Sequence, residues 1–205
     1  MKAEELELLK RYFPEAAVGR VGEMFTQRRF KLHFKRPRSS KLGDFRPPRT
    51  PKSICSITLN LDLNPYQMLI TYVHEVAHYD VFQYYGSRRV QPHGPEWQTS
   101  FATLLQPFLT ETVFPNDVLA ALKRHLHHIK ASSTADLNLQ RVLQRYDPVP
   151  ENATTLESLP NGARFVLRNR LVFQKGEKQR TRYKCYCESN GRWYFVSALA
   201  TVKQL

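Results

Sequence analysis

The sequence predicts an α+β chain, in which a helix-rich first domain with two short strands precedes a small all-β module. Three observations predict it. Apolar residues recur at helical spacing in five segments before residue 130. Two short runs among them alternate apolar and polar residues, the period of a half-buried strand. After residue 150 the helical pattern gives way to short apolar runs separated by turn residues.

Leu6, Leu9 and Phe13 share one face of a first helix, which Pro14 stops, and Val18, Val21 and Phe25 mark a second. Residues 29–35 alternate basic and apolar and predict a strand; residues 36–52, rich in Pro, Arg, Ser and Lys, predict a loop. Residues 57–61 alternate again as a second strand. The next helix is the best marked, with Asn64 as N-cap, Pro65 at its first position and Gly86 to close it. Gly94-Pro95 opens a further helix carrying Trp97, Phe101, Leu104, Leu105 and Phe108, which Pro107 ends or kinks. Asn116 caps one more, through Leu119, Leu122, Leu126 and Ile129. Linker composition around residues 147–152 divides the chain into a first domain over 1–145, a linker over 146–158 and a small basic β domain over 159–205. Strands are predicted there at 165–167, 171–173, 183–187 and 193–196. Turns are placed at Asn161-Gly162, Lys175-Gly176 and Asn190-Gly191.

With 41% hydrophobic and 12% aromatic residues in 205, the chain can fill a core, which excludes wholesale disorder. The formal net charge of +13 attracts polyanions, of which nucleic acid is the commonest. Three cysteines, Cys55, Cys185 and Cys187, do not make a disulfide framework and fit a reducing compartment. No apolar run approaches the roughly 20 residues that span a bilayer, and the first residues lack the apolar stretch of a signal peptide. A cytoplasmic protein without membrane contact is expected.

The strongest chemical signal is His74-Glu75-Val76-Ala77-His78 inside the best-marked helix. Histidines four apart lie one turn from each other on one face, so both rings can reach a single ion. Neutral imidazole suits zinc. Glu75, beside the first ligand, can take a proton from a water that the ion has acidified to a pKa of about 7. With 7 His and 12 Glu in the chain, chance predicts only ~0.01 occurrences of this pattern, which sets aside two ordinary surface histidines. A catalytic zinc usually has three protein ligands. His93, directly before Gly94-Pro95-Glu96, can return over the ion, and Glu96 is the rival third ligand; imidazole's fit to zinc favours His93. One zinc per chain is expected. Tyr79 and His125 are further polar groups of suitable type, with nothing in the pattern to place them at the site.

Ile57-Thr58-Leu59-Asn60, the helix with His74-Glu75-Val76-Ala77-His78, and His93-Gly94-Pro95-Glu96-Trp97 together resemble the SprT-like metallopeptidases, in particular the Spartan-like protease domain. Ser40-Lys41-Leu42-Gly43-Asp44-Phe45 is similar to the loop that precedes the first active-site strand in that family, and the likeness covers roughly residues 25–130. The resemblance implies a zincin-like fold for the first domain, with His74, His78 and His93 as zinc ligands and Glu75 as general base. It implies a zinc endopeptidase whose protein substrates are associated with DNA. Many members continue into a zinc ribbon with two cysteine pairs. Here the tail has only Cys185 and Cys187, and no histidine lies beyond His128, so a ribbon cannot close.

Residues 28–52 hold ten Lys or Arg against one acid, Asp44. Arg36, Arg38, Lys41, Arg46 and Arg49 are the candidate phosphate contacts there, and Arg180 and Arg182 in the tail. Phe30 and Phe34 belong to the core by their strand period. The rival reading is a nucleic-acid-binding protein whose zinc site is structural or inactive; Glu75 argues against it, since a structural site needs no carboxylate there. Zinc-assisted hydrolysis of a bond other than a peptide stays open, because ligands alone do not choose the substrate.

Overall fold

A computed structural model describes residues 3–38, 41–86, 90–127, 136–148, 152–167 and 170–205. Ser40, His128, Ile129, Arg168 and the linker positions Val149, Pro150 and Glu151 lie outside the described residues. The chain forms an α+β fold in two compact units, residues 1–147 and 148–205. The first mixes helices with a small mixed sheet, and the second is an antiparallel sheet module.

In the first unit α1 (Ala3–Tyr12) and α2 (Val18–Thr26) lead into β1 (Phe30–Lys35), β2 (Gly43–Arg46) and β3 (Cys55–Asn60). The sheet order is β1-β3-β2; β1 runs parallel to β3, from Phe30 against Cys55 to Lys35 against Asn60. β2 runs antiparallel to β3, with Gly43 opposite Leu59. β3 is central and almost wholly buried, whereas β1, at the edge, alternates as its sequence predicted. β2 falls inside the stretch predicted as loop. It has four residues and one apolar side chain, Phe45, so no alternation announces it.

α3 (Pro65–Tyr85) follows. The Asn64 side chain accepts from the Gln67 N–H at 3.0 Å, Pro65 occupies the first turn, and Gly86 ends the helix at φ 61°. Apolar residues cover α3 on several sides, so it runs through the core rather than over it; Met68, Leu69, Ile70, Tyr72, Val73 and Val76 are all fully buried. α4 (Pro95–Leu105) and α5 (Asn116–His127) pack with it, and Trp97, Phe101, Phe108 and Phe114 complete the core. α6 (Leu137–Gln144), which the sequence reading did not place, buries Leu139 and Leu143. Its end is tied to the start of α3, because Asn64 Nδ2 donates to the Leu143 carbonyl at 2.9 Å and to Asp147 Oδ1 at 2.7 Å.

The second unit is a six-stranded sheet of order β4-β9-β5-β6-β7-β8, antiparallel throughout. Its strands are β4 (Thr154–Thr155), β5 (Arg164–Val166), β6 (Val172–Gln179), β7 (Arg182–Cys187), β8 (Arg192–Ser197) and β9 (Thr201–Gln204). Within the stretch read as linker, Thr154–Thr155 and fully buried Leu156 contribute to this unit. Lys175-Gly176 is not a turn: both lie in β6, where the register shifts at a bulge, and the chain reverses at Arg180, φ 54°. A Cβ at Gly176 would fall against the Lys184 carbonyl, so glycine there serves close strand approach. Buried Lys175 donates to the Glu157 and Leu159 carbonyls and lies 4.0 Å from the Tyr183 ring centroid. Among the described residues, no helix is long and apolar enough to cross a membrane.

Candidate metal centre

His74 and His78 lie one turn apart on α3, and their Nε2 atoms are 3.2 Å from each other. α3 ends at Gly86, and a turn in which the Gly94 N–H donates to the Gln91 carbonyl at 2.9 Å carries His93, whose φ of 61° is unusual for a residue with a side chain. That turn brings His93 Nε2 to 3.1 Å from both other Nε2 atoms. Gly94 then opens α4, and Gln98 Nε2 donates back to the His93 carbonyl at 3.0 Å. Among the described residues, these three form the group able to hold a metal ion; Glu96 is not part of it.

Nitrogens sharing one tetrahedral zinc at ~2.0–2.1 Å stand about 3.3 Å apart. The observed triangle, 3.1–3.2 Å on each side, fits that donor set. Burial pushes His74 down to about 3 and His78 down to about 4, and it lowers His93 as well. The rings are therefore neutral at ordinary pH, the form that ligates a metal.

Trp97 forms the wall beneath the triangle. It is buried, its ring lies 4.6, 5.5 and 4.7 Å from those of His74, His78 and His93, and it stacks on Phe101. Trp97 Nε1 donates to the His74 carbonyl at 3.3 Å, which ties α4 to the turn of α3 that carries the first histidine.

Glu75 is buried between α3 and β2. Desolvation raises it to about 8, opposed in part by the Phe45 backbone N–H; Asp44 adds to the rise, and Arg38 and Lys41 favour the charged form. Gly43 is what admits the carboxylate. A Cβ there would stand 2.5 Å from Glu75 Oε1, 2.8 Å from Glu75 Cγ and 2.8 Å from Thr71 Cγ2. Asn60, at the end of β3, secures the chain entering β2. Its Nδ2 donates to the Arg38 and Lys41 carbonyls, its Oδ1 accepts from Arg38 Nε at 2.8 Å, and its N–H donates to the Leu42 carbonyl. Gly43 and Asn60 stand within the motifs of the sequence, but nothing in residue type revealed their roles.

The candidate phosphate contacts scatter. Arg38 is turned in against Asn60 and its Nη2 is buried without a hydrogen-bond partner. Lys41 and Arg46 both pair with Asp44, at 2.7 and 2.6 Å. Arg36, Arg49, Arg180 and Arg182 are exposed. Tyr79 accepts from the Arg29 N–H at 3.1 Å and packs on Phe30 and Phe45, a structural place. His125, fully buried, meets Asp136 Oδ2 at 3.1 Å.

A model of the SprT-like family matches residues 12–117, just over half of the chain, and the chain belongs to that family. No match was found among curated proteins or among solved structures.

Proposed function

We propose that the first unit is a zincin-like zinc endopeptidase, with His74, His78 and His93 as ligands and Glu75 as general base. Family membership and the convergence of three Nε2 atoms on one point support this reading. The observation that carries it is the pairing of that triangle with a buried carboxylate on the adjacent residue of α3. Three protein ligands, rather than four, is the pattern of zinc sites that act on substrate. Bound there, zinc would supply Lewis acidity, polarising a carbonyl oxygen and lowering the pKa of water.

The chain's own residues do the rest. The three imidazoles stay neutral in their buried setting, and Trp97 holds the triangle rigid from below. Glu75 takes the proton of the attacking water at a carboxylate oxygen and passes it to the leaving amine, so it must exchange protons near neutral pH. Gly43 leaves room for the carboxylate, and β2, an edge strand beside it, borders the place where a peptide would lie. The domain division proposed is peptidase over 1–145, linker over 146–158 and basic β domain over 159–205.

The charge of +13 directs this activity to proteins on DNA in a cytoplasmic setting, with Arg36, Arg49, Arg180 and Arg182 as the exposed contacts of those named. Zinc-loaded protein should cleave a DNA-bound protein faster when DNA is present, by raising its effective concentration at the site. It should cleave an unattached protein at a rate DNA does not change. Equal stimulation of both, or of neither, contradicts the DNA-directed part and leaves a general zinc peptidase.

A further inference from the structure

The two sides of the histidine triangle differ along α3. Between Met68 and Tyr79 every residue of this central helix is buried except His74 and His78, so the strip they form is where the helix opens to solvent. Steps of three and four residues continue that strip along one face. Toward the start of α3 it runs through Thr71 and Gln67, and the Thr71 hydroxyl donates back to the Gln67 carbonyl at 2.7 Å. Toward the end it runs through Phe82 and Tyr85, both partly exposed. One side of the triangle is polar and the other aromatic.

β2 supplies the facing wall. The Asn60 N–H donates to the Leu42 carbonyl, and the register then makes Asp44–Thr58 and Arg46–Ser56 the bonded pairs that follow. The backbone groups of Gly43 and Phe45 therefore point to the free edge of the sheet. That edge faces the site, because the Phe45 N–H meets the Glu75 carboxylate. Gly43 and Phe45 also share the side of β2 that packs on α3. Gly43 lies against Glu75, and the Phe45 ring lies 6.2 Å from that of Tyr79 and 5.8 Å from that of Phe82. β2 thus runs beside α3 in the same direction, from the carboxylate toward the aromatic end. Phe45 and Phe82 touch, yet each leaves part of its surface open.

We propose that Phe45 and Phe82 form a specificity subsite, which takes a large apolar side chain two or three residues N-terminal to the scissile bond. The inference deepens the peptidase reading above and rests on it for the hydrolysis itself. Strand pairing sets the side. A segment that adds antiparallel to the β2 edge, the commoner and more stable pairing, has its N-terminal part beside Phe45. Helix rise sets the distance. Phe82 stands six positions past Val76, the midpoint between His74 and His78, which is about 9 Å along the axis. An extended peptide covers that in two to three residues at about 3.4 Å each. Placing a large apolar side chain in such a pocket is worth about 10-fold or more over alanine.

The test has a cleavage arm and a binding arm. Zinc-loaded wild type is given a mixed peptide library, and the new ends are read by mass spectrometry. Phe, Tyr, Leu and Met should be enriched about 10-fold at the second or third residue before the cut. Phe82→Ala should lose that enrichment, and Phe82→Glu should turn it toward Lys and Arg, with zinc content kept in both. In the binding arm, two fluorescein-labelled peptides that differ only by Phe or Ala at those positions are titrated into zinc-loaded Glu75→Gln. The Phe peptide should bind about 10-fold more tightly by anisotropy. This comparison alters no residue of the subsite, so it decides the matter even where a Phe82 variant does not fold. Equal affinity of the two peptides, enrichment confined to the C-terminal side of the cut, or an unchanged preference in folded Phe82 variants overturns the proposal. Failure of the peptidase reading would appear separately, as no cleavage by wild type while the Phe peptide still binds more tightly.

Discussion

Gly43→Ala is the smallest change that should silence the site without touching a ligand. The added methyl would stand 2.5 Å from Glu75 Oε1 and 2.8 Å from both Glu75 Cγ and Thr71 Cγ2. Ordinary contact is about 3.5 Å, so either the carboxylate or β2 must give by about 1 Å. The carboxylate end could swing, but its Cγ and the Thr71 methyl are part of packed α3, and Glu75 is buried. Overpacking of this kind costs about 1–3 kcal/mol of stability, and displacing a catalytic group by about 1 Å can cost ~10²-fold in rate. We expect kcat/KM to fall about 10- to 100-fold with zinc stoichiometry retained, because the nearest atoms the methyl would meet belong to Glu75 and Thr71 and to none of the three histidines. The assay pairs cleavage of a quenched fluorescent protein substrate with elemental zinc analysis and a thermal melt. Wild-type activity and stability in Gly43→Ala would refute the claim that glycine there is what admits Glu75.

His93→Ala should lower zinc affinity far more than Glu96→Ala, read by competition with a chromogenic chelator; the reverse order would move the third ligand. Double substitution of Cys185 and Cys187 by Ser should leave one zinc per chain, and loss of a second ion in that variant would reveal an unrecognised site. Arg36→Glu with Arg49→Glu should weaken DNA binding and flatten its salt dependence with zinc unchanged, and an unaltered salt titration would remove those residues from the interface. Asp136 caps α6 by accepting from the Asn138 and Leu139 N–H groups. Burial alone would raise it, but the Leu139 N–H, the His125 ring and the Asn138 N–H together hold it below the ordinary value. A depressed carboxylate contributes stability fully above its unfolded pKa, near 3.9, and loses it as pH falls through the folded value. Asp136→Asn should therefore be less stable than wild type at neutral pH, with the gap closing in acid; a constant gap in denaturant melts would contradict the assignment.

The helices that hold the triangle were legible because their signals are local. Asn64, Pro65 and Gly86 mark the ends of α3 by backbone chemistry, and the four-residue histidine spacing is meaningful only on a helix. His93 was legible as a candidate by residue type, but its arrival depends on a positive φ that no periodicity encodes. β2 was not legible, because an edge strand with one apolar residue is defined by its partner β3 rather than by its own pattern. The same holds for β4, two residues long and defined only by its neighbour β9, and for β9, which is placed by β4 on one side and β5 on the other. α6 has an Asp cap and buried leucines, yet at eight residues it is too short for its period to stand out. Gly176 shows the opposite error: a glycine that resembles a turn is required instead where β6 and β7 approach closely.

The central claim, hydrolysis by a zinc site with Glu75 as base, is tested most directly by one comparison. Wild type and Glu75→Gln are loaded with zinc, their metal content is measured, and cleavage of the same protein substrate is followed at neutral pH. The account predicts one zinc in each and a rate lower by about 10²–10⁴-fold in the variant. Equal cleavage by two equally loaded proteins would contradict it.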